Sequence, residues 1–229
     1  NGTKNWVTSG HNSDFIIFFC RTNLNDKKDE VSAFIIDKNT TGLSLGKKED
    51  KLGLRASDTC QLYFENCKLP KENRIGDEGQ GFSIAMNALG GGRIGIAAQA
   101  VGLARTALEK AISYSKERKQ FGKPISSFGA IQNKLADIAT NVQSARLLVW
   151  QAAYLKDSGA SYIKESSMAK LFASSAAMSA ASECVQIHGG YGYIQEYGIE
   201  RLMRDAKVTE IYEGTSEIQR LVISRELLK

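Results

Sequence analysis

The sequence is poor in the residues that mark several classes of protein. Its 229 residues include 2 prolines, 2 histidines and 4 cysteines. Cys20, Cys60, Cys67 and Cys184 form no Cys-x-x-Cys pair and have no histidine at ligand spacing, so we expect small buried thiols in a reducing compartment and no metal site. No run approaches the roughly 18 consecutive apolar residues of a membrane span, and the first residues do not resemble a signal peptide. We therefore expect no membrane partner.

The excess of basic over acidic residues is too small to indicate a nucleic-acid partner. The net charge of +5 arises from 30 basic and 25 acidic residues, and no basic block stands out. This balance is compatible with an anionic small molecule, but it is too diffuse for nucleic acid. The length allows one large domain, or a small domain with a larger one, around a substantial core.

Residues 1–72 have the character of a β domain. Three short apolar runs, at 15–20, 31–36 and 60–64, predict strands buried on both faces. Turn-forming residues at 23–26 and 39–42 separate these runs by loops too short for a helix, which favours antiparallel pairing in a sandwich or barrel portion. Trp6 and Thr8 share one face of the first strand, and on pattern alone Trp6 is a core aromatic.

Residues 73–229 have helical spacing throughout. Apolar periodicity predicts helices over about 79–118, 131–158 and 162–188. Three glycines at 90–92 should weaken the first helix or admit a ligand. Ser216 with Gln219 fits a capping box, which predicts a last helix over 216–229. Long helices with short connections predict an up-down four-helix bundle, so the fold class is α+β.

Glu213 occupies an unusual place in this pattern, at a bend just before the last helix. Gly214 allows the backbone to turn sharply, and the unpaired N–H groups and dipole of the helix start attract negative charge. On spacing alone, a solvated glutamate in a turn remains the simpler interpretation.

Six motifs in a fixed order favour a functional role for Glu213 over that of a solvated glutamate. They are 6–8 (WVT), 46–53 (GKKEDKLG), 92–97 (GRIGIA), 117–122 (ERKQFG), 186–193 (QIHGGYGY) and 211–219 (IYEGTSEIQ). Together they resemble motifs of the acyl-CoA dehydrogenase family, and their sequences are most similar to those of short-chain and short/branched-chain members. The resemblance implies that this chain corresponds to the C-terminal part of a longer protein, without the family's N-terminal helical domain.

The resemblance implies FAD-dependent α,β-dehydrogenation of a short-chain acyl-CoA to a trans-2-enoyl-CoA. Glu213 matches the family's base, which removes the α-proton while the β-hydrogen leaves as hydride to FAD N5. An α C–H is a very weak acid, so such a base needs a carboxylate poised at the α-carbon and donors for the enolate oxygen. Some members carry the base directly before the arginine that Arg93 matches. Gly92 stands there in this chain, which leaves Glu213 as the candidate base.

The resemblance also assigns binding residues and partners. The predicted FAD contacts are Trp6, Val7, Thr8, Arg118, Phe121, Gln186, Ile187, His188, Gly189, Gly190, Thr215, Ser216 and Glu217. The predicted substrate contacts are Arg93, Tyr212 and Gly214. Arg118 would pair with the FAD pyrophosphate of a neighbouring subunit, a task that suits a guanidinium, so we expect a homo-oligomer, such as a dimer of dimers. Trp6 would then cover the flavin ring instead of filling the core.

Departures and alternatives accompany this interpretation. Gly90 and Gly129 stand where the family usually has Asp and Gln, so a CoA contact and an FAD contact are lost. Within the same chemistry, the alternatives are a branched-chain acyl-CoA dehydrogenase and an acyl-CoA oxidase-like enzyme. From another class, the alternative is a non-catalytic assembly or binding fragment. Electrons would pass to an electron-transfer flavoprotein, in bacterial cytoplasm or the mitochondrial matrix.

Overall fold

A β-rich unit and a helical unit make up the chain in the computed structural model, which describes residues 1–22 and 31–229. The first unit is Asn1–Ala88 and the second is Leu89–Lys229. The turn predicted at 23–26 lies outside the described residues. The α+β class is confirmed, because strands dominate the first unit and helices the second.

The described part of the first unit contains six strands. They are β1 (Gly2–Thr8), β2 (Phe15–Arg21), β3 (Val31–Asp37), β4 (Leu43–Leu45), β5 (Thr59–Phe64) and β6 (Arg74–Ile75). One sheet has the order β1-β5-β4 and the other has the order β2-β3-β6. Every pairing within these two sheets is antiparallel, as the short connections predicted.

For β2, the prediction of burial on both faces was wrong, whereas in β3 the adjacent residues Ser32 and Ala33 are both buried. In β2 the side chains of Phe15 and Ile17 are exposed, whereas Ile16 between them is buried. Ile16 packs in a small core with Ile36, Leu62 and others. This alternation is that of a strand with a single face against the core.

Within the described residues, six α-helices follow. They are α1 (Gly81–Glu117), α2 (Gly129–Asp157), α3 (Ile163–His188), α4 (Gly190–Tyr193), α5 (Ile199–Thr209) and α6 (Ser216–Leu227). A hairpin of β7 (Lys119–Gln120) and β8 (Lys123–Pro124) joins α1 to α2. The three long helices begin and end close to their predicted bounds. The glycines at 90–92 lie within α1 and do not interrupt it, and α5 was not predicted.

Alanine builds the core of the helical unit. Ala104 of α1, Ala145 of α2 and Ala177 of α3 are fully buried in one cluster. Small side chains allow helix axes to approach closely while the interior stays densely packed. Helix α3 contacts α2, α5 and α6, so it is the central helix of this unit.

The expectation that all four cysteines are buried is met only in part. Cys60 and Cys184 are buried free thiols, but Cys20 and Cys67 are only half-buried.

In the part of the chain that the structure describes, no helix is both long and apolar enough to cross a bilayer.

Candidate active site

The turn between α5 and α6 carries the predicted base. Glu213 has φ 54° and Gly214 has φ 89°, so two successive residues adopt the left-handed conformation. This conformation is unfavourable for a residue with a side chain, so Glu213 keeps it only where surrounding contacts fix it. Any side chain at Gly214 would also meet the Gln219 amide, because an added Cβ would lie 2.7 Å from Gln219 Nε2.

Two buried side chains fix the backbone of this turn. Gln219 Nε2 donates to the carbonyl oxygens of Glu213, at 3.1 Å, and Gly214, at 2.9 Å. Lys170 Nζ donates to the same Gly214 oxygen at 2.7 Å. Both carbonyl groups therefore face the interior, which fixes the direction in which the Glu213 side chain leaves the backbone.

The Glu213 carboxylate lies directly against helix α1 at Gly92. A Cβ added to Gly92 would lie 2.5 Å from Glu213 Oε2 and 3.0 Å from Glu213 Cδ. These distances are shorter than van der Waals contact, so the carboxylate occupies the space that a side chain at position 92 would need. Glycine at position 92 is what leaves room for Glu213.

Arg93, the next residue of α1, is buried close to the Glu213 carboxylate. Only 5% of its surface is exposed, and its Nη1 donates to Ser167 Oγ of α3 at 3.3 Å. Burial lowers the pKa of the Arg93 guanidinium, and the nearby Glu213 carboxylate opposes that change. The burial leaves little of Arg93 for direct contact with substrate, and its assignment as a substrate contact stays a prediction.

Tyr212 points from the same turn towards α1. Its hydroxyl group donates to Gln99 Oε1. Burial raises the pKa of the Tyr212 phenol, and the Gln99 hydrogen bond partly offsets this. Its predicted place beside a thioester stays a prediction.

The start of α6 differs in detail from the predicted capping box. The capping residue is Thr215, not Ser216, and its hydroxyl accepts from the Ile218 N–H at 3.4 Å. Gln219 does not return to the helix start, because its amide is bound to the turn carbonyls instead. Hydrogen bonds from its own backbone N–H and, to a smaller extent, from the Thr215 hydroxyl lower the pKa of the Glu217 carboxylate. Thr215, Ser216 and Glu217 therefore lie together at one helix N-terminus, as their adjacency required.

Lys170 is the residue at this site that sequence reasoning missed. It is absent from the predicted site residues, yet it is fully buried in α3. Its position relative to Ala173 and Ala177, three and seven residues on, places it on the buried stripe of the helix. That spacing was available in the sequence and could have found it.

A second group of predicted residues lines a cleft of about 600 Å³ in the helical unit. The lining includes Arg118 at the end of α1 and the segment 186–190 at the end of α3. The Arg118 guanidinium lies over the ring of Tyr191, 5.6 Å from its centroid. Gly189 has φ 60°, and a Cβ at Gly192 would lie 2.5 Å from the Val185 carbonyl oxygen, so glycine is needed for the local backbone path.

His188 supports the wall of this cleft. Its ring stacks on Tyr114 with centroids 4.1 Å apart, and its Nδ1 lies 2.8 Å from the Cys184 carbonyl oxygen. Burial lowers the pKa of His188, which favours the neutral imidazole.

Of the remaining predicted FAD contacts, Val7 is half-buried against the core of the β-rich unit, whereas the other three are exposed. Trp6 is 73% exposed, so the pattern-based expectation of a core aromatic was wrong. It has φ 59°, and the pairing of β1 with β5 shifts register between Lys4 and Val7. Thr8 is also exposed. Phe121, at the β7–β8 turn, is 92% exposed and contacts Phe128 edge to face.

Gly90 and Gly129, which stand where the family usually has Asp and Gln, have different surroundings. A Cβ at Gly90 would lie 3.1 Å from both Tyr162 Oη and Ile163 Cδ1, so Tyr162 and Ile163 fill the space there. A Cβ at Gly129 would meet nothing within 4 Å, so this position could hold a larger side chain. Only the Gly90 departure is thus explained by packing within the chain.

Comparisons with known proteins agree with this architecture. The sequence profile of "Acyl-CoA dehydrogenase, middle domain" matches residues 1–67, and that of "Acyl-CoA dehydrogenase, C-terminal domain" matches residues 79–228. The predicted domain boundary at 72/73 falls between the two matches, whereas the compact units meet at Ala88. The boundary at 72/73 stays a prediction.

Individual relatives cover the whole of this chain. "Acyl-CoA dehydrogenase" of Bacillus subtilis (strain 168) is 54% identical, over 100% of this chain and 60% of that protein. "Short-chain specific acyl-CoA dehydrogenase, mitochondrial" of Mus musculus is 52% identical, over 100% of this chain and 56% of that protein. The solved structure of butyryl-CoA dehydrogenase from Megasphaera elsdenii matches with a TM-score of 0.98 at 48% identity, covering 100% of this chain and 60% of that one. The chain thus spans 56–60% of the length of these relatives.

Proposed function

Because this chain belongs to the acyl-CoA dehydrogenase family, we propose that it carries the catalytic base of an FAD-dependent short-chain acyl-CoA dehydrogenase. The reaction converts an acyl-CoA to its trans-2-enoyl-CoA. The observation that carries the proposal is the Glu213 carboxylate, which fills the space left by the absent side chain of Gly92. The short-chain substrate class rests on the short-chain relatives, each about half identical to this chain.

Glu213 abstracts the α-proton of the bound thioester. Its carboxylate is half-buried and extends from a turn whose carbonyl groups are already hydrogen-bonded, so little reorganisation accompanies the proton transfer. The backbone N–H of Glu213, together with a ribityl hydroxyl of bound FAD, would supply the donors for the developing enolate oxygen.

The cleft at Arg118 suits the pyrophosphate arm of FAD. A guanidinium presents donors that match phosphate oxygens, and the glycines at 189 and 190 allow close approach of a ligand to the backbone. Trp6, Val7 and Thr8 would face the flavin ring, and Thr215, Ser216 and Glu217 would lie at its edge. When bound, FAD supplies the acceptor for the hydride that leaves the β-carbon.

The partners follow from the same chemistry. We assign the acyl-CoA as electron source, an electron-transfer flavoprotein as electron acceptor, and a second copy of the chain as the source of part of the flavin site. Relatives are known from mitochondria and from bacteria, which fits a mitochondrial matrix or a bacterial cytoplasmic enzyme.

The first test is the visible absorption spectrum of the purified chain. A flavin band that bleaches on anaerobic addition of butyryl-CoA is the expected result. A chain that takes up FAD and is not bleached by short-chain, long-chain or branched acyl-CoA would refute the activity. Rapid reoxidation of the reduced flavin by oxygen would favour an oxidase instead.

The second test addresses the base directly. Glu213→Gln keeps the shape of the side chain but removes the carboxylate, so it should retain the flavin band and lose at least about 100-fold in the bleaching rate. Glu226→Gln is the matched control, because Glu226 lies at the far end of α6 and pairs with Lys229. Equal bleaching rates in the two variants would remove Glu213 from the mechanism.

A further inference from the structure

A buried cation lies directly behind the catalytic turn. Lys170 is fully buried in α3, on a face otherwise formed by small residues such as Ala173 and Ser174. Removing an ammonium group from water is costly unless it is well hydrogen-bonded. A methionine of similar length would fill this space without that cost, so packing alone does not account for a lysine here.

The ammonium group is bonded to the backbone of the turn itself. Lys170 Nζ donates to the Gly214 carbonyl oxygen at 2.7 Å, the length of a charge-assisted hydrogen bond. Gln219 shares this acceptor and also holds the Glu213 carbonyl. Since Glu213 and Gly214 are both left-handed, these bonds offset the strain of a conformation that a glutamate rarely adopts.

We propose that Lys170 is a positioning residue for Glu213: its ammonium group holds the Gly214 carbonyl, and so keeps the base aimed at the space beside Gly92. This inference rests on the proposed function, because Glu213 must be the base for its position to matter. Lys170 touches neither substrate nor cofactor in this assignment and acts through the backbone of the turn.

The charges around Lys170 suit this role. The pKa of Lys170 is lowered to about 8, chiefly by burial and also by Arg93, against the opposing effect of the Glu210, Glu213 and Glu217 carboxylates. These groups come from α1, from the ends of α5 and α6, and from the turn between them. Lys170 is therefore protonated in neutral solution, and a positive charge at this point also attracts the Glu213 carboxylate.

The test compares Lys170→Met, Lys170→Gln and a control, Lys134→Met. The methionine removes both charge and donor, the glutamine keeps a donor, and Lys134 pairs with Glu183 elsewhere in the helical unit. Two readouts are needed. Backbone amide hydrogen exchange over residues 213–219 reports the turn in the chain without substrate, and anaerobic bleaching by butyryl-CoA reports the rate and the half-saturating concentration.

We expect Lys170→Met to remain folded, with a Tm equal to or above that of the unaltered chain. Exchange at the turn should become faster, and the bleaching rate should fall roughly 10- to 100-fold at an unchanged half-saturating concentration. Lys170→Gln should recover part of both properties, and Lys134→Met should match the unaltered chain.

Two results would overturn the proposal. Wild-type exchange and a wild-type rate in Lys170→Met would show that the turn needs no anchor at Lys170. A raised half-saturating concentration at an unchanged rate would assign Lys170 to substrate binding. If the unaltered chain binds flavin but never bleaches, the proposed function fails, and the exchange measurement alone decides whether Lys170 anchors the turn.

Discussion

Replacement of Gly92 by alanine tests the contact between α1 and the catalytic turn. The new methyl carbon would lie 2.5 Å from Glu213 Oε2, whereas ordinary van der Waals contact begins at 3.4 Å. The carboxylate must therefore retreat by about 1 Å, since the α1 backbone is fixed by helical hydrogen bonds. A displacement of roughly 1 Å in a reacting group can cost about 100-fold in rate.

The matched control is Gly91→Ala in the same helix. Its methyl carbon would meet Lys156 Nζ at 3.3 Å, and Nζ is the end of a flexible side chain that can move away. Both substitutions gain up to about 1 kcal/mol of helix propensity relative to glycine. Only Gly92→Ala carries the clash with the base.

Stopped-flow bleaching of the flavin by butyryl-CoA measures the outcome, and thermal unfolding measures the propensity gain. We expect Gly91→Ala to react at the wild-type rate with a raised Tm. Gly92→Ala should keep its flavin and react about 100-fold more slowly. A wild-type rate in Gly92→Ala would show that the Glu213 carboxylate is not where catalysis requires it.

Two further predictions concern stability. Thr215→Ala removes the hydroxyl that caps α6, so urea denaturation should report a loss of roughly 1 kcal/mol, which Thr215→Ser should largely avoid. Equal midpoints for the alanine and serine variants would contradict the cap. The pKa of Lys170 is lowered from 10.5 to about 8 in the folded chain. Between these pH values the unfolded chain therefore binds more protons than the folded chain. The contribution of Lys170 to the free energy of unfolding consequently rises with pH in this range. The free energy of unfolding of the unaltered chain, minus that of Lys170→Met, should increase from pH 8 to 10; a flat difference would refute a lowered pKa.

The long helices show how much local periodicity can predict. Apolar spacing placed α1, α2 and α3 within a few residues of their observed bounds, because a helix of that length repeats its buried stripe many times. Helix α5 was missed although Ile199, Leu202 and Ala206 already form one face. Its span of 11 residues gave the pattern too few repeats to stand out.

The strands show where periodicity ends. An unbroken apolar run at 15–20 is compatible with burial on one face or on two, and only packing decides between them. The structure buries Ile16 and exposes Phe15 and Ile17. The exposed Trp6, with its left-handed backbone, likewise depends on a register shift between β1 and β5 that no local pattern encodes.

The sequence by itself determined the family, because six motifs in a fixed order are a linear property of the chain, and it identified Glu213 as the candidate base. Tertiary structure alone decided what surrounds that base. Gly92, Lys170 and Gln219 are distant from one another in sequence, and only the packing of α1, α3 and α6 brings them to the turn. Burial and hydrogen bonding depend on such long-range contacts, which is why the fully buried Lys170 behind the catalytic turn is absent from the residues predicted from the sequence.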